Sequence, residues 1–521
     1  MDYDLCVIGG GINGVGIARD AAGRGLSVLL VEAQDLAGAT SSASTKLVHG
    51  GLRYLESYDF KLVKESLAER ETLLKAAPHI IWPMKFVLPH DSHLRPYWMI
   101  RAGLFLYDHL SGRKKLSKSE ALDFGASSLA DPLDDKYDRG FAYSDCWADD
   151  ARLVVLNAID AFERGAVIMP RTACVFLEST RDKKGWNLHL QNMLNGDEFQ
   201  VTAGMVVNAA GPWVRSLLDG SELTKTAEGE SDHVPHVRLV KGSHIIVPKI
   251  HDGAQSFILQ QPDGRIVFAL PYEKTYTLIG TTDVPFEGNA SDVMISPEET
   301  TYLCDAVNRS FKKKIKPEDV IWTYSGVRSL VDDGKKNASK VTRDYKLYMD
   351  ERFGPPILSV FGGKLTTYRH LAEHAVDRLA TFHPKRQLLP WTQDAILPGG
   401  DIPQGDFDKF LQNQKARYTF LPDALTYRYA RAYGSRMSAI MEGVNKVADL
   451  GTHYGDHIYE AEILYLLRYE FAHTAEDILW RRSKMGLHVS DKTVTALEKA
   501  LPSLIERVQG ESKRYENASG Y

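Results

Sequence analysis

The 521 residues are 44% hydrophobic and 25% charged, an ordinary globular composition with length for two or three domains. Lys and Arg number 63 against 68 Asp and Glu, so a net charge of −5 gives no general attraction for nucleic acid, and any basic site must be local. The four cysteines, Cys6, Cys146, Cys174 and Cys304, are widely spaced without a CxxC pair, which fits neither a disulfide framework nor a zinc site; a reducing compartment and no metal are expected.

The chain opens on an apolar strand pattern, MDYDLCVIGG, and not on the basic and apolar regions of a signal peptide or the Arg-rich start of a transit peptide. The pattern predicts a βαβ unit: strand Tyr3 to Ile8, a glycine turn, a helix from about Asn13 to Gly25, and a strand from Leu26 to Glu32. In the turn, GGGING supplies Gly9, Gly11 and Gly14 in GxGxxG spacing, and Glu32 follows 18 residues after Gly14. Glycines at this spacing let the backbone approach a pyrophosphate at the helix N-terminus, while the carboxylate accepts hydrogen bonds from a ribose. No second GxGxxG occurs, so one dinucleotide is expected; the fingerprint alone does not separate NAD from FAD. Ser41, Ser42, Ser44 and Thr45 follow, where hydroxyls can reach a pyrophosphate or ribityl chain, although serine-rich turns also form without a ligand.

STKLVHGGLRYLE, Ser44 to Glu56, then gathers Lys46, His49, Arg53 and Tyr54 around a Gly50-Gly51 turn. Such a cluster is either a polar surface turn or a site for a small anion. HLRPYWMIRAGLFLYDHLSGRKK, His93 to Lys115, is too short and too charged to span a bilayer; aromatics flanked by cations suit an interfacial helix, but composition alone favours a buried core helix. Apolar runs AGMVVNAAGPW from Ala203 and PPILSVFGGKLTTY from Pro355 read as later strands of the first, parallel sheet. Between them, QSFILQQPDGRIVFALPYEKTYTLIGTTD has the texture of antiparallel strands and is read as an inserted substrate domain. FGGKLTTYRHLAEHA predicts a strand end, a Gly362-Gly363 turn and a helix starting near Thr366 and Thr367. Its free N–H groups could stabilise charge on a reduced flavin, or it could be a plain capped connection; spacing does not choose. After Trp391 the pattern turns helical, with Thr474 and Asp477 placed as a capping box and Gly486 as a stop. Arg481, Arg482 and Lys484 read as favourable charge at a helix C-terminus, with no function.

Taken together, VIGGGINGVGIARDAAGRG, STKLVHGGLRYLE, YSDCWADDARLV, NAAGPWV, RLVKGSHIIVP, LIGTTDV, WTYSGVRSL, GGKLTTYRHLA and DILWRRSKMG resemble one family, the FAD-dependent glycerol-3-phosphate dehydrogenases of the short bacterial respiratory kind. The resemblance implies an α/β FAD-binding domain of the glutathione-reductase-like Rossmann type, an inserted antiparallel-sheet substrate domain and an α-helical C-terminal domain. The expected division is 1–75, 150–225 and 340–385 for FAD, 76–149 and 226–339 for substrate, and 386–521 for the helical domain. It further implies oxidation of sn-glycerol 3-phosphate to dihydroxyacetone phosphate, hydride transfer to FAD, and electron delivery to ubiquinone or menaquinone by a protein peripheral on the cytoplasmic face of the inner membrane, which moves the balance for His93 to Lys115 to membrane contact. A homodimer is left open.

On this resemblance, Arg53, Tyr54, Lys364 and Arg328 lie at the substrate pocket, and Arg343 either joins them or contacts the flavin. Lys46, Gly362, Gly363, Thr366 and Thr367 fall on the cofactor side. Removing the hydroxyl proton of a secondary alcohol suits a base of near-neutral pKa, so His49 and His244 are both candidates, with Arg328 steadying the developing alkoxide. Three alternatives share the fingerprint: a glycerol-3-phosphate oxidase using molecular oxygen, an amine or amino-acid oxidoreductase with a carboxylate clamp, and a non-catalytic flavoprotein or RNA-modification partner.

Overall fold

The computed structural model describes all residues except 93, 111–114, 222, 224–233, 332–343, 385–387 and 519–521, and gives the backbone alone for residues 53, 56, 57 and 512–518. Tyr3–Ile8 sits in the middle of an eight-stranded sheet, parallel to Val28–Glu32 on one side and to Glu198–Asn208 on the other. Ile357–Phe361 and Val167–Pro170 extend the parallel part, and the antiparallel strand Lys346–Asp350 closes one edge. The central strand is buried on both faces, which is why its run is continuously apolar. Leu5 and Val7 join a core with the helices Ile12–Gly23, Asp150–Glu163 and Tyr368–Ala380, whereas Cys6 and Ile8 join another with Trp186, Val214 and Leu218.

A second sheet of ten strands carries Val237–Pro248, Ser256–Gln260, Ile266–Tyr272, Tyr276–Gly280 and Trp322–Val331 together with Ile81–Pro89 and Arg139–Ala148. It is antiparallel except where Ser256–Gln260 runs parallel to Ile81–Pro89, two strands joined by a long connection and not by a hairpin. The short strand Leu47–Val48 pairs with Arg139–Ala148 in this sheet, so the chain crosses from the first sheet to the second between Glu32 and Val48. Helix Pro297–Asn308 covers one face; Phe60–Ala76 and Tyr97–His109 pack on the other. Tyr97–His109 packs on this sheet by one side only. Leu104 and Tyr107 are buried, but Trp98 and Phe105 remain 68% and 59% exposed. No helix among the described residues is long and apolar enough to cross a membrane.

Beyond Trp391 the helices Asp423–Tyr433, Glu460–Tyr469 and Asp491–Ala518 surround the C-terminal domain's own apolar core, and Phe407–Arg417 packs against Asp423–Tyr433 in a smaller apolar cluster with Ile402 and Ala430. Thr474 and Asp477 make the reciprocal capping bonds, Asp477 N–H to Thr474 Oγ1 at 3.2 Å and Thr474 N–H to Asp477 Oδ2 at 2.9 Å. The turn they open, Asp477–Arg482, is a wide π-helical one, and Lys484 beyond it takes a φ of 59°. The reading of Arg481, Arg482 and Lys484 as plain helix-end charge is thereby corrected: Arg482 is wholly buried, and all three are paired with carboxylates of the preceding domain. The early end of the regular helix turns them inward.

Candidate active site

A cavity of about 700 Å³ runs between the two sheets. At one end the glycine fingerprint sets its floor. Gly9 has a φ of +114°, and a Cβ there would lie 2.5 Å from the Ala209 carbonyl. Gly14 lets the helix press against the turn, since a Cβ would sit 1.9 Å from the Gly9 oxygen. Gly11 is the N-cap of the helix and has no side chain to satisfy the first N–H groups, so this terminus is open to an anion apart from Ile12 N–H, which donates to Ser41 Oγ at 3.0 Å. Glu32 lines the cavity and is oriented by backbone donors, Gly10 N–H at 2.6 Å and Gln34 N–H at 2.8 Å. Burial raises its pKa, and these two bonds oppose the rise.

At the other end the second sheet contributes His244, Phe268, Thr281 and Arg328, and the loop after Ile357–Phe361 contributes Gly362, Gly363, Lys364 and Thr366. His244 is buried, stacks on Tyr324 with centroids 4.7 Å apart, and has Nε2 2.9 Å from Thr45 Oγ1. Burial first, then the charges of Arg328 and Lys46, push its pKa well below the ordinary histidine value, so the ring is neutral. Arg328 Nη1 donates to Asp283 at 2.6 Å and Nη2 to Thr281 Oγ1 at 3.2 Å. Lys364 Nζ lies 4.7 Å from the centre of the Tyr54 ring. His49 lines the cavity too, its backbone N–H donating to Thr366 Oγ1 at 3.2 Å. Two further bonds tie the ends together: Asn13 Nδ2 to the Gly362 carbonyl at 3.2 Å, and Thr40 Oγ1 to the Val327 carbonyl at 2.7 Å.

Of the sequence-derived candidates, Gly9, Gly11, Glu32, Ser41, Thr45, His49, Tyr54, His244, Arg328, Gly362, Gly363, Lys364 and Thr366 line this one cavity. Gly14 lies behind the turn. Ser42 Oγ bonds to the Ala39 carbonyl, and Thr367 is buried at the start of Tyr368–Ala380. Lys46 is away from the cavity surface, buried with Nζ 2.9 Å from Asp150. Of Arg53 only the backbone is described, in the short helix Leu52–Ser57, and Arg343 lies outside the described residues. Sequence reasoning passed over Asp283, Thr281 and Trp213, although LIGTTD and NAAGPWV had been singled out. An Asp three residues after the strand-end glycine was the available signal for a partner to Arg328.

These features fit FAD. The open helix N-terminus suits a pyrophosphate, Glu32 a ribose, and the elongated cavity leads from them to the cationic end. The family model of FAD dependent oxidoreductases matches residues 4–369, and that of the C-terminal domain of alpha-glycerophosphate oxidase matches 390–514. The chain is 52% identical to the glycerol-3-phosphate dehydrogenase of Pseudomonas aeruginosa, over 96% of this chain and 95% of that one. It is 51% identical to the D-erythritol 1-phosphate dehydrogenase of Brucella abortus, over 94% and 95% respectively. The glycerol-3-phosphate dehydrogenase of Bacillus halodurans, solved in complex with FAD, superposes with a TM-score of 0.77 at 27% identity, covering 99% of this chain and 93% of that one. The chain belongs to the FAD dependent oxidoreductases, and within them to the glycerol-3-phosphate dehydrogenase family.

Proposed function

We propose that this protein oxidises sn-glycerol 3-phosphate to dihydroxyacetone phosphate and delivers the electrons to a membrane quinone. The observation that carries the reading is a neutral, buried His244 beside Arg328 in the cavity that also holds Lys364 and the dinucleotide fingerprint. Bound FAD supplies the hydride acceptor for the hydrogen on carbon 2.

The chain's own residues do the rest. His244, neutral and held with Nε2 2.9 Å from Thr45 Oγ1, is the ring that takes the hydroxyl proton. His49 is the other candidate for this proton. Arg328, fixed by Asp283, faces the oxygen that becomes negative as the proton leaves. Lys364 and Arg53 hold the phosphate, whose charge of nearly −2 needs several cationic donors, with Tyr54 alongside and Arg343 as a further contact. On the opposite side of the helix from buried Leu104 and Tyr107, exposed Trp98, Met99, Phe105 and Leu106 make Tyr97–His109 the segment that rests on the cytoplasmic face of the inner membrane, where ubiquinone or menaquinone is reached.

A second reading comes from the relative at 51% identity that acts on D-erythritol 1-phosphate: the same site would accept a polyol phosphate one carbon longer. Anaerobic mixing with each of the two phosphates, following flavin bleaching, decides between them. Quinone and oxygen are then added separately. Bleaching by sn-glycerol 3-phosphate with kcat/KM well above that for D-erythritol 1-phosphate, and faster reoxidation by quinone, is the expected result. Preference for the longer substrate would establish the second reading, and fast reoxidation by oxygen would make the protein an oxidase.

A further inference from the structure

The segment from Ala33 to Thr45 forms one wall of the cavity, and both of its ends are held from the C-terminal domain. Asp35, three residues beyond Glu32, is 2% exposed and receives Arg481 Nε at 2.5 Å and Arg482 at 2.5 and 2.8 Å. Arg482 also donates to the Glu470 carbonyl at 3.1 and 2.9 Å, so its fork is fixed on both sides. Asp477 in the same turn takes Arg171 at 2.8 Å, and the Arg171 N–H donates to the Gln34 carbonyl at 2.8 Å. At the other end Asp150 gathers Ser44 Oγ at 2.8 Å, Lys46 at 2.9 Å and Lys484 at 3.6 Å. Burial alone would depress the Lys484 pKa, but Asp149 and Asp150 outweigh it and raise it, so the lysine stays charged.

Buried ion pairs are costly to desolvate, and packed apolar residues join two domains at least as well. What such pairs add is direction, and here the direction bears on the cofactor. Asp35 is bonded through the chain to Gln34, whose N–H orients the Glu32 carboxylate, and Ala37 N–H closes the same loop onto the Gly10 carbonyl at 3.1 Å. We infer that the C-terminal domain clamps the adenosine end of the FAD site, with Arg482 as a positioning residue that acts through Asp35 and Gln34 on Glu32. The inference rests on the assignment of Glu32 to the ribose.

The test uses the full-length protein stripped of flavin and titrated with FAD, ADP and FMN. Arg482→Met is expected to raise Kd for FAD about tenfold or more and Kd for ADP in parallel, because it removes charge-assisted bonds behind Glu32, and to leave FMN, which lacks the adenosine half, unchanged. Arg482→Lys restores part of the loss. Arg428→Met removes a buried pair with Glu462 inside the same domain (2.5 and 2.8 Å) and should leave all three affinities at wild type even where thermal stability falls. Wild-type affinity for FAD and ADP in Arg482→Met, equal loss of FMN, or equal loss of FAD in Arg428→Met would each overturn the clamp. If Arg482→Met does not fold, Arg481→Ala, whose side chain is 11% exposed, makes the same comparison. Glu32→Ala separates the two claims: unchanged FAD and ADP binding removes the ribose assignment and the clamp's route with it, whereas weakened binding there beside an unaffected Arg482→Met removes the clamp alone.

Discussion

The two ends of the cavity are built from different materials. At the fingerprint end nearly every contact is backbone: an open helix terminus, two close glycine approaches, and N–H groups of Gly10 and Gln34 on one carboxylate. At the substrate end the contacts are side chains from five distant segments, and charge decides their behaviour: Arg328 against Asp283, Lys364 over Tyr54, His244 kept neutral by burial and cations. The first end is sensitive to shape and tolerates little change in volume. The second is sensitive to charge and tolerates changes that preserve it.

The largest effect should come from violating shape. Gly14→Ala places a Cβ against the Gly9 oxygen, with both groups in main chain that cannot move aside. Purified protein should carry almost no flavin, measured as the absorbance ratio of flavin to protein. A normal ratio would mean that the turn relaxes and that the two ends do not differ as described.

Violating charge comes next. Arg328→Ala should lower kcat/KM by about 10²- to 10³-fold, as expected for losing a donor to a developing oxyanion, while flavin content stays normal. It also removes the guanidinium that lies 2.6 Å from Asp283. Loss of flavin in Arg328→Ala would show that the ends are not independent.

The pH profile follows from His244. Arg328 and Lys46 are the charges acting on its ring, with Tyr324 stacked on it and Thr45 bonded to it, and its folded pKa lies well below the ordinary value of about 6.5. In the folded state it therefore stays neutral at pH values where an unfolded histidine is protonated. Its contribution to stability is complete above about pH 6.5 and is lost as pH falls towards the folded pKa. Stability from denaturant titration should decline below that point, and His244→Gln should flatten the decline. The acid limb of kcat/KM should show no inflection near 6.5 arising from this group; one that disappears in His244→Gln would mean that the ring titrates normally.

The contrast between the ends also sets how far the sequence could be read. Gly9, Gly11, Gly14 and Glu32 form a local pattern whose spacing is dictated by a single turn and two strands, so the cofactor end was legible as a dinucleotide site before any fold was known. Lys46 was not. It stands in a cationic motif beside the cavity, yet its partner Asp150 lies 104 positions away and draws it into the interior. Arg482 likewise read as ordinary helix-end charge because its partner, Asp35, is 447 positions distant. A long-range pair leaves no periodic trace in the chain, and the same is true of Asp283 and Arg328. For the Tyr97–His109 helix, composition could not choose between a core and an interfacial place, because it records how many apolar residues are present and not that half of them face outward.

The smallest expected effect lies where the two sensitivities meet, in the HGGLRY loop. Gly50 N–H donates to the Tyr107 hydroxyl at 2.8 Å, which in turn donates to Asp145 at 2.8 Å, and Asp145 is held by Arg70 at 2.6 Å. Tyr107→Phe deletes the hydroxyl but leaves ring and volume in place, and Gly50 N–H retains Asp145 Oδ1 at 3.4 Å as a distant acceptor. The loss should be about 1–2 kcal/mol of stability, the range for a buried hydrogen bond whose partner is not wholly stranded. Because the loop carries Tyr54 and Arg53, KM for the phosphate substrate should rise a few-fold while kcat stays unchanged, since a displaced loop weakens binding of the ground state and transition state alike. A fall in kcat with KM unaltered would instead mean that Gly50 and its neighbours are positioned for the transition state alone, which would move His49 on the same loop ahead of His244 as the group that takes the proton.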